Sequence, residues 1–347
     1  MLKLEELIPA LSGVMSVTGF EGTEKEKVKD LLTGYDECVE DTVGNLIFIY
    51  RCGRKNAPRI LIDTHFDEIG MMVTDIKERG FLSFTRVGGL DVRTLSSADV
   101  LVWGDRVVPG VVSSTPPHLA QKGGKREMPD PEDLLIDTGM DTEELKKIVR
   151  VGTPVGFAPR YRRLSCRRMV GKGFDNKACA AVAAYALGSV DKQTLAGDVY
   201  LVFSVQEEIG GGGIMAGAYG VDPQYAMVID VNLAFMPGAK TAESVAMQKG
   251  PSIARGVTID KTLRRMTEAM CDRESIPWQP CVAPTYTGTN TEDLHLVRAG
   301  IPTVDVGLPL VAMHTYTEEL DMGDAEALAR LVTAFVTDRE IGEVFSC

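Results

Sequence analysis

Aromatic side chains are scarce in this chain, 6% of its 347 residues with only two tryptophans, and there are just four histidines. A metal site built on imidazole therefore has few candidates: His65, His118, His295 and His314. Positive charge is also short. The 37 Lys and Arg stand against 49 Asp and Glu, a net charge of −12 with no basic run, so neither a broad phosphate-binding face nor a nucleic-acid partner is expected. Seven cysteines (38, 52, 166, 179, 271, 281 and 347) lie scattered without a C-x-x-C pair. That pattern indicates neither a disulfide framework nor a cysteine zinc site, and a reducing cytoplasm fits it best. No apolar run reaches the roughly 20 residues that cross a bilayer, and Glu5 and Glu6 interrupt an N-terminal amphipathic pattern that is unlike a signal peptide. A soluble protein with no membrane partner is expected. What is present, 44% apolar, 25% charged and 35 glycines, is the profile of a globular protein with one large core or a core plus a smaller unit.

Periodicity divides the chain into three stretches. Two helical patterns, Leu2 to Leu11 and Thr23 to Leu32, lead into strand-like runs at Leu46 to Tyr50 and Arg59 to Asp63. From about residue 71 to residue 160 the texture changes to short β-type runs broken by Gly, Pro and Ser, namely Phe81 to Val87, Val100 to Trp103, Val107 to Val112 and Leu134 to Asp137, with one helical stretch near Thr142 to Val149. This reads as a small inserted β-rich domain, leaving 1–70 and 161–347 as the main one; the charged loop Pro116 to Pro131 is expected to be exposed. After Cys166 helices and strands alternate again: a helix from about Asn176 to Leu187, a strand at Asp198 to Val205, a helix after Gly213 and a strand at Tyr225 to Val231. Helices near Lys261 to Glu274 and Thr291 to Arg298, the strand Thr303 to Leu308 and a last helix from Asp324 to Val336 follow. The class is α/β, a mainly parallel sheet covered by helices on both faces. In such sheets ligands collect beyond the carboxyl ends of the strands.

Several chemically capable residues fall at those ends. His65 follows the apolar strand Arg59-Ile60-Leu61-Ile62, and extended backbone sends Asp67 to the same side, where a carboxylate can orient a metal-binding imidazole. In Val202-Phe203-Ser204-Val205-Gln206-Glu207-Glu208 a buried-looking strand delivers two adjacent acids that point in different directions. One can ligate a metal while the other takes a proton from water. Glycines 210 to 213 permit close backbone approach but lack the Lys and Ser/Thr of a phosphate loop. Asp230 ends another apolar strand. Asp175 enters a helix, where a plain N-cap is an equally good reading, and His314 lies in the loop beyond the strand Thr303 to Leu308. Together these residues suffice for two divalent ions with a carboxylate between them. His295, inside a helical run, reads as a packing or surface residue.

The order and surroundings of these segments resemble the dinuclear-metal aminopeptidases that form tetrahedral particles, a family that includes glutamyl and deblocking aminopeptidases and members once labelled cellulases. The resemblance rests on His-Phe-Asp-Glu-Ile-Gly at 65–70, Val87-Gly88-Gly89, Pro116-Pro117-His118-Leu119, Asp175-Asn176, Gln206-Glu207-Glu208-Ile209-Gly210 and Met313-His314, and it spans nearly the whole chain. It implies that His65 and Asp230 bind opposite metals with Asp175 bridging, that Glu208 and His314 complete the two shells, that Glu207 is the general base, and that Asp67 supports His65. It further implies two divalent ions per subunit (zinc, cobalt or manganese), peptide substrates, and a homo-oligomer, twelve subunits if the family pattern holds, with the insert making contacts. His118 receives no catalytic role. Three departures bear on substrate choice: Lys177 where the family usually has Arg, Ala312-Met313 before the last metal histidine, and Met236 where a second acid is usual. An amidohydrolase or deacylase using the same machinery is the alternative enzyme. A silent assembly or peptide-binding protein is the alternative outside catalysis, disfavoured because Glu207 is kept beside a full ligand set.

Overall fold

The computed structural model describes residues 2–114, 134–240 and 244–345; His118, the loop 116–131 and Cys347 lie outside the described residues. Eight strands form the main sheet: β1 (Glu37–Glu40), β2 (Leu46–Tyr50), β3 (Arg59–His65), β4 (Asp198–Ser204), β5 (Tyr225–Leu233), β6 (Ser252–Gly256), β7 (Gln279–Ala283) and β8 (Thr303–Leu310). Their order is β1-β2-β4-β3-β5-β8-β6-β7. The four central strands β4, β3, β5 and β8 run parallel. Antiparallel pairings flank them, β2 with β4 and β6 with β8, so the expected parallel sheet is the centre of a mixed one.

Alternation along the central strands explains why both faces are covered. Ile60 and Ile62 of β3, with Met227 and Ile229 of β5, join the larger core beneath the helices Leu4–Ser12, Phe174–Ser189, Lys261–Arg273 and Met322–Thr337. Leu61, Ala226 and Val228 face the other way, onto Ile214 and Ala218 of the helix Gly212–Val221 and onto Leu294. The helix Phe174–Ser189 is buried almost all round, with alanines at 178, 180, 181, 183, 184 and 186; such a helix belongs inside a core, and its small side chains let it lie close to the sheet. Leu328, Leu331, Val332 and Phe335 of the penultimate helix are core residues, as their spacing predicts.

Between β3 and β4 the chain builds a closed six-stranded antiparallel barrel from Gly70–Ile76, Phe81–Val87, Asp99–Trp103, Val107–Ser113, Leu135–Asp137 and Pro154–Phe157. It has its own core, including Val73, Leu82, Val100, Val102, Val112, Ile136 and Val155, and Tyr316 enters that core from far down the chain. A three-stranded ribbon, Tyr161–Arg163, Arg168–Gly171 and Glu318–Asp321, sets Glu318 opposite Gly171. Among the described residues no helix is long and apolar enough to cross a membrane, and the six described cysteines are free.

Candidate active site

The C-terminal edge of the parallel strands carries most of the chemistry. His65 is the last residue of β3 and pairs in register with Ser204, the last of β4. After β4 the chain turns sharply: Gln206 has φ +63°, Glu207–Ile209 form a single 3-10 turn, and Gly210 and Gly211 have φ +118° and +44°. A side chain at Gly213 would meet the Val205 carbonyl at 2.0 Å, so the returning helix can approach only as glycine. Asn45 fastens this hairpin, accepting from Val205 N–H at 3.0 Å and donating to the Gly213 carbonyl at 2.7 Å. Asp230 comes from β5, next to Gly307 of β8; His314, with φ +61°, follows β8.

Two groups of side chains converge there, His65 with Asp175 and Asp230, and Asp175 with Glu208 and His314; within each, one donor atom per residue lies within 4.8 Å of the others. Asp175 is common to both. Its Oδ1 is 3.1 Å from His65 Nε2 and its Oδ2 3.2 Å from His314 Nε2. His65 Nε2 is also 3.6 Å from Asp230 Oδ1, and His314 Nε2 is 3.5 Å from Glu208 Oε2. The division differs from the expected one: His65 and Asp230 converge on one point instead of facing opposite metals, because β3 and β5 are adjacent parallel strands. Glu207 belongs to neither group, its Oε2 lying 3.9 Å from His65 Nε2.

Asp67 touches His65 mainly through its backbone, the carbonyl lying 3.1 Å from Nδ1 and the carboxylate 3.6 Å away. That carboxylate accepts from Thr18 Oγ1 at 2.8 Å and from the N–H groups of Glu207 and Glu208 at 3.1 and 3.2 Å, so it fixes the Glu-Glu turn as much as the histidine. Glu318 was not legible in the sequence as a site residue. Buried, it accepts from the N–H groups of Phe174, Asp175 and His314 at 2.7, 3.1 and 3.2 Å, bracing the two segments that carry Asp175 and His314. Nothing in Tyr316-Thr317-Glu318-Glu319 marks it, since only the ribbon pairing brings it there. Behind Asp67 and Asp175, Glu68 is clasped by Lys172 at 2.7 Å and by Lys177 at 2.9 Å. His295 is half-buried after the short helix Thr291–Leu294 and in neither group.

The electrostatics describe a cluster short of positive charge. Burial and the surrounding carboxylates push Glu207 and Glu208 up to about 8. The hydrogen bond to Asp175 raises His314 to about 9. Burial opposes charge on His65, yet Asp230, Glu207 and Asp175 outweigh it and raise the imidazole. Burial likewise opposes ionisation of Asp175, which the two histidines nonetheless hold below the usual carboxylate range. Glu208 Oε1 is buried without a hydrogen-bond partner. An orphaned carboxylate oxygen among mixed imidazole and carboxylate donors is what a pair of borderline divalent cations would satisfy, and the residues fit such ions.

Two imidazole and carboxylate groups sharing one aspartate, at the carboxyl ends of parallel strands and with a free glutamate beside them, define a metal-dependent hydrolase. The chain belongs to the M42 glutamyl aminopeptidase family, whose model matches residues 44–331, and it is accordingly a metallo-aminopeptidase. It is similar to a lysyl aminopeptidase of Pyrococcus furiosus, 29% identical over 339 residues and covering 94% of this chain and 95% of the relative. Among solved structures it resembles a TET aminopeptidase from the marine sediment archaeon Thaumarchaeota archaeon SCGC AB-539-E09, with a TM-score of 0.89, 29% identity, and 99% and 98% of the two chains covered. It also resembles the Pyrococcus horikoshii TET1 peptidase, which can assemble into a tetrahedron or a large octahedral shell, with a TM-score of 0.83, 26% identity, and 96% and 99% covered.

Proposed function

We propose that the protein removes N-terminal residues from peptides at a dinuclear centre in which His65, Asp175 and Asp230 hold one divalent ion and Asp175, Glu208 and His314 the other. The observation that carries this reading is the placement of Asp175, whose two oxygens face the two histidines separately, with Glu207 close by and in neither group. Zinc, cobalt or manganese suits these donors. Bound there, two such ions would polarise the scissile carbonyl and lower the pKa of a water. Glu207, only partly exposed and with its Oε2 3.9 Å from His65 Nε2, takes the proton from the attacking water and returns it to the departing amine. Asp67 keeps the Glu207 and Glu208 backbones in place, and Glu318 keeps the Asp175 and His314 backbones in place. The surrounding carboxylates favour a substrate that presents a free ammonium. Likeness to the TET peptidases supports self-association into a tetrahedral particle, of twelve copies on this reading, and the scattered cysteines support work in the cytoplasm.

Metal analysis of the purified protein, with a panel of aminoacyl and N-acyl amides after reconstitution with each ion, tests the reading. Two ions per chain, activity lost on chelation, and free-amine substrates cleaved faster than blocked ones are expected. Preferential cleavage of blocked amides, or full activity without metal, would overturn it. Light scattering of a stable monomer at micromolar concentration would remove the assembly.

A further inference from the structure

We infer that the inserted barrel, none of whose described residues belongs to either donor group, holds one half of the metal centre in shape, and that Gly89 is the positioning residue through which it does so. The inference rests on the dinuclear reading above and concerns the Asp175, Glu208 and His314 group. The barrel strand Phe81–Val87 ends in Gly88-Gly89, and both glycines meet that group at close range. A methyl carbon at Gly89 would lie 2.8 Å from His314 Nδ1 and 3.0 Å from Cε1. One at Gly88, whose φ is +76°, would lie 3.2 Å from Glu208 Oε2 and 3.0 Å from Ile69. The imidazole of His314 thus rests edge-on against bare backbone.

The rest of the His314 loop is docked on the same barrel. Asp91 N–H donates to the His314 carbonyl at 3.2 Å. Two residues on, the Tyr316 ring sits in the barrel core, 5.1 Å from the Phe157 ring, with its hydroxyl donating to Asp99 at 3.4 Å. His314 itself has φ +61°, a conformation that a non-glycine residue keeps only where its surroundings fix it. The barrel, Glu318 and the end of β8 together provide that fixation. Metal–donor distances are reproducible to within about 0.2 Å, whereas a side chain at position 89 would have to push the ring by about half an ångström to reach ordinary contact. Glycine at 89 is therefore a requirement of the second ion, not of the barrel turn.

The test is a cobalt(II) titration of metal-free wild type, Gly89→Ala, His314→Ala and the double variant, followed by calorimetry and by the visible absorption of the bound ion, with thermal unfolding of each apo protein alongside. Outer-shell changes typically cost 10 to 100-fold in metal affinity. Gly89→Ala is expected to bind the first ion unchanged and the second about 10 to 100-fold more weakly. In the His314→Ala background the same methyl should change nothing beyond about twofold, since there is no ring for it to meet. An unchanged second ion in Gly89→Ala, or an equal loss in both backgrounds, would overturn the inference. If Gly89→Ala does not fold, Tyr316→Leu, which loosens the other anchor of the loop, replaces it: a weakened second ion with an intact first supports the inference, and two unchanged ions overturn it. Failure of the wild type to take up two ions would refute the dinuclear reading instead.

Discussion

Replacing Glu68 by Gln should cost the fold about 3–5 kcal/mol, the usual penalty for breaking a buried ion pair from one side. Glu68 is 3% exposed and Lys172 and Lys177 are 3% and 0% exposed at their side chains, so water cannot take over the lost charge. The two lysines do not share the loss equally. Lys177 donates to the Val14 carbonyl at 2.7 Å, and burial already pulls it down to about 7, so at neutral pH it sheds its proton at little further cost. Lys172 makes both of its short contacts, 2.7 and 2.8 Å, with the Glu68 carboxylate, and it carries most of the penalty. Adding Lys172→Met to Glu68→Gln should therefore recover at least half of the stability, because an apolar side chain of similar length needs no partner. Urea unfolding of the apo protein at fixed concentration, followed by far-UV circular dichroism, measures both variants. A single variant within 1 kcal/mol of wild type, or a double variant less stable than the single, would refute this account of the triad.

Glu207→Gln should keep two ions and lose at least about a hundredfold in turnover, the low end of what a placed general base contributes, whereas Glu208→Gln should also weaken one ion. Metal content and steady-state rates separate the two, and the opposite pattern would exchange their roles. Burial pushes Asp305 up to about 6, against hydrogen bonds from Thr289 and Thr291 that favour its charged form. The folded state thus holds the proton more tightly than the unfolded one. The stability that Asp305 contributes is complete below about pH 4 and is lost as pH rises through about 6. Asp305→Asn should accordingly gain on wild type across that interval, by about 3 kcal/mol at its end; a difference that stays constant between pH 4 and 7 would contradict this.

How much of this was legible in the sequence depends on whether a feature is local. Ile60-Leu61-Ile62 and Met227-Val228-Ile229 announce buried strands, and the residues that follow them, His65 and Asp230, fall at the edge where ligands collect. The sequence does not state strand order. Only the adjacency of β3 and β5 puts His65 and Asp230 in the same donor group. The strands β1, β6 and β7 escaped notice because they are short and peripheral, and β7 carries Pro280, which marks an edge. Glu318 and the Glu68 triad were hidden for a related reason. Each is an ordinary acid in its own segment and becomes a brace only when a remote segment, Gly171 in one case and Lys172 in the other, is folded against it.

The candidate ligands run from His65 in the first fifth of the chain to His314 in the last tenth, with the whole barrel synthesised between the first and the second of them. On the ribosome, early segments emerge and begin to fold while later ones do not yet exist. A chain that has made β3, the barrel, β4 and β5 holds His65, Asp175, Glu208 and Asp230 but lacks β8 and the loop that carries His314. The donor set proposed above is thus complete only when almost the entire length has left the exit tunnel. Fragments from aborted translation that end before His314 lack one of the two imidazoles of that set.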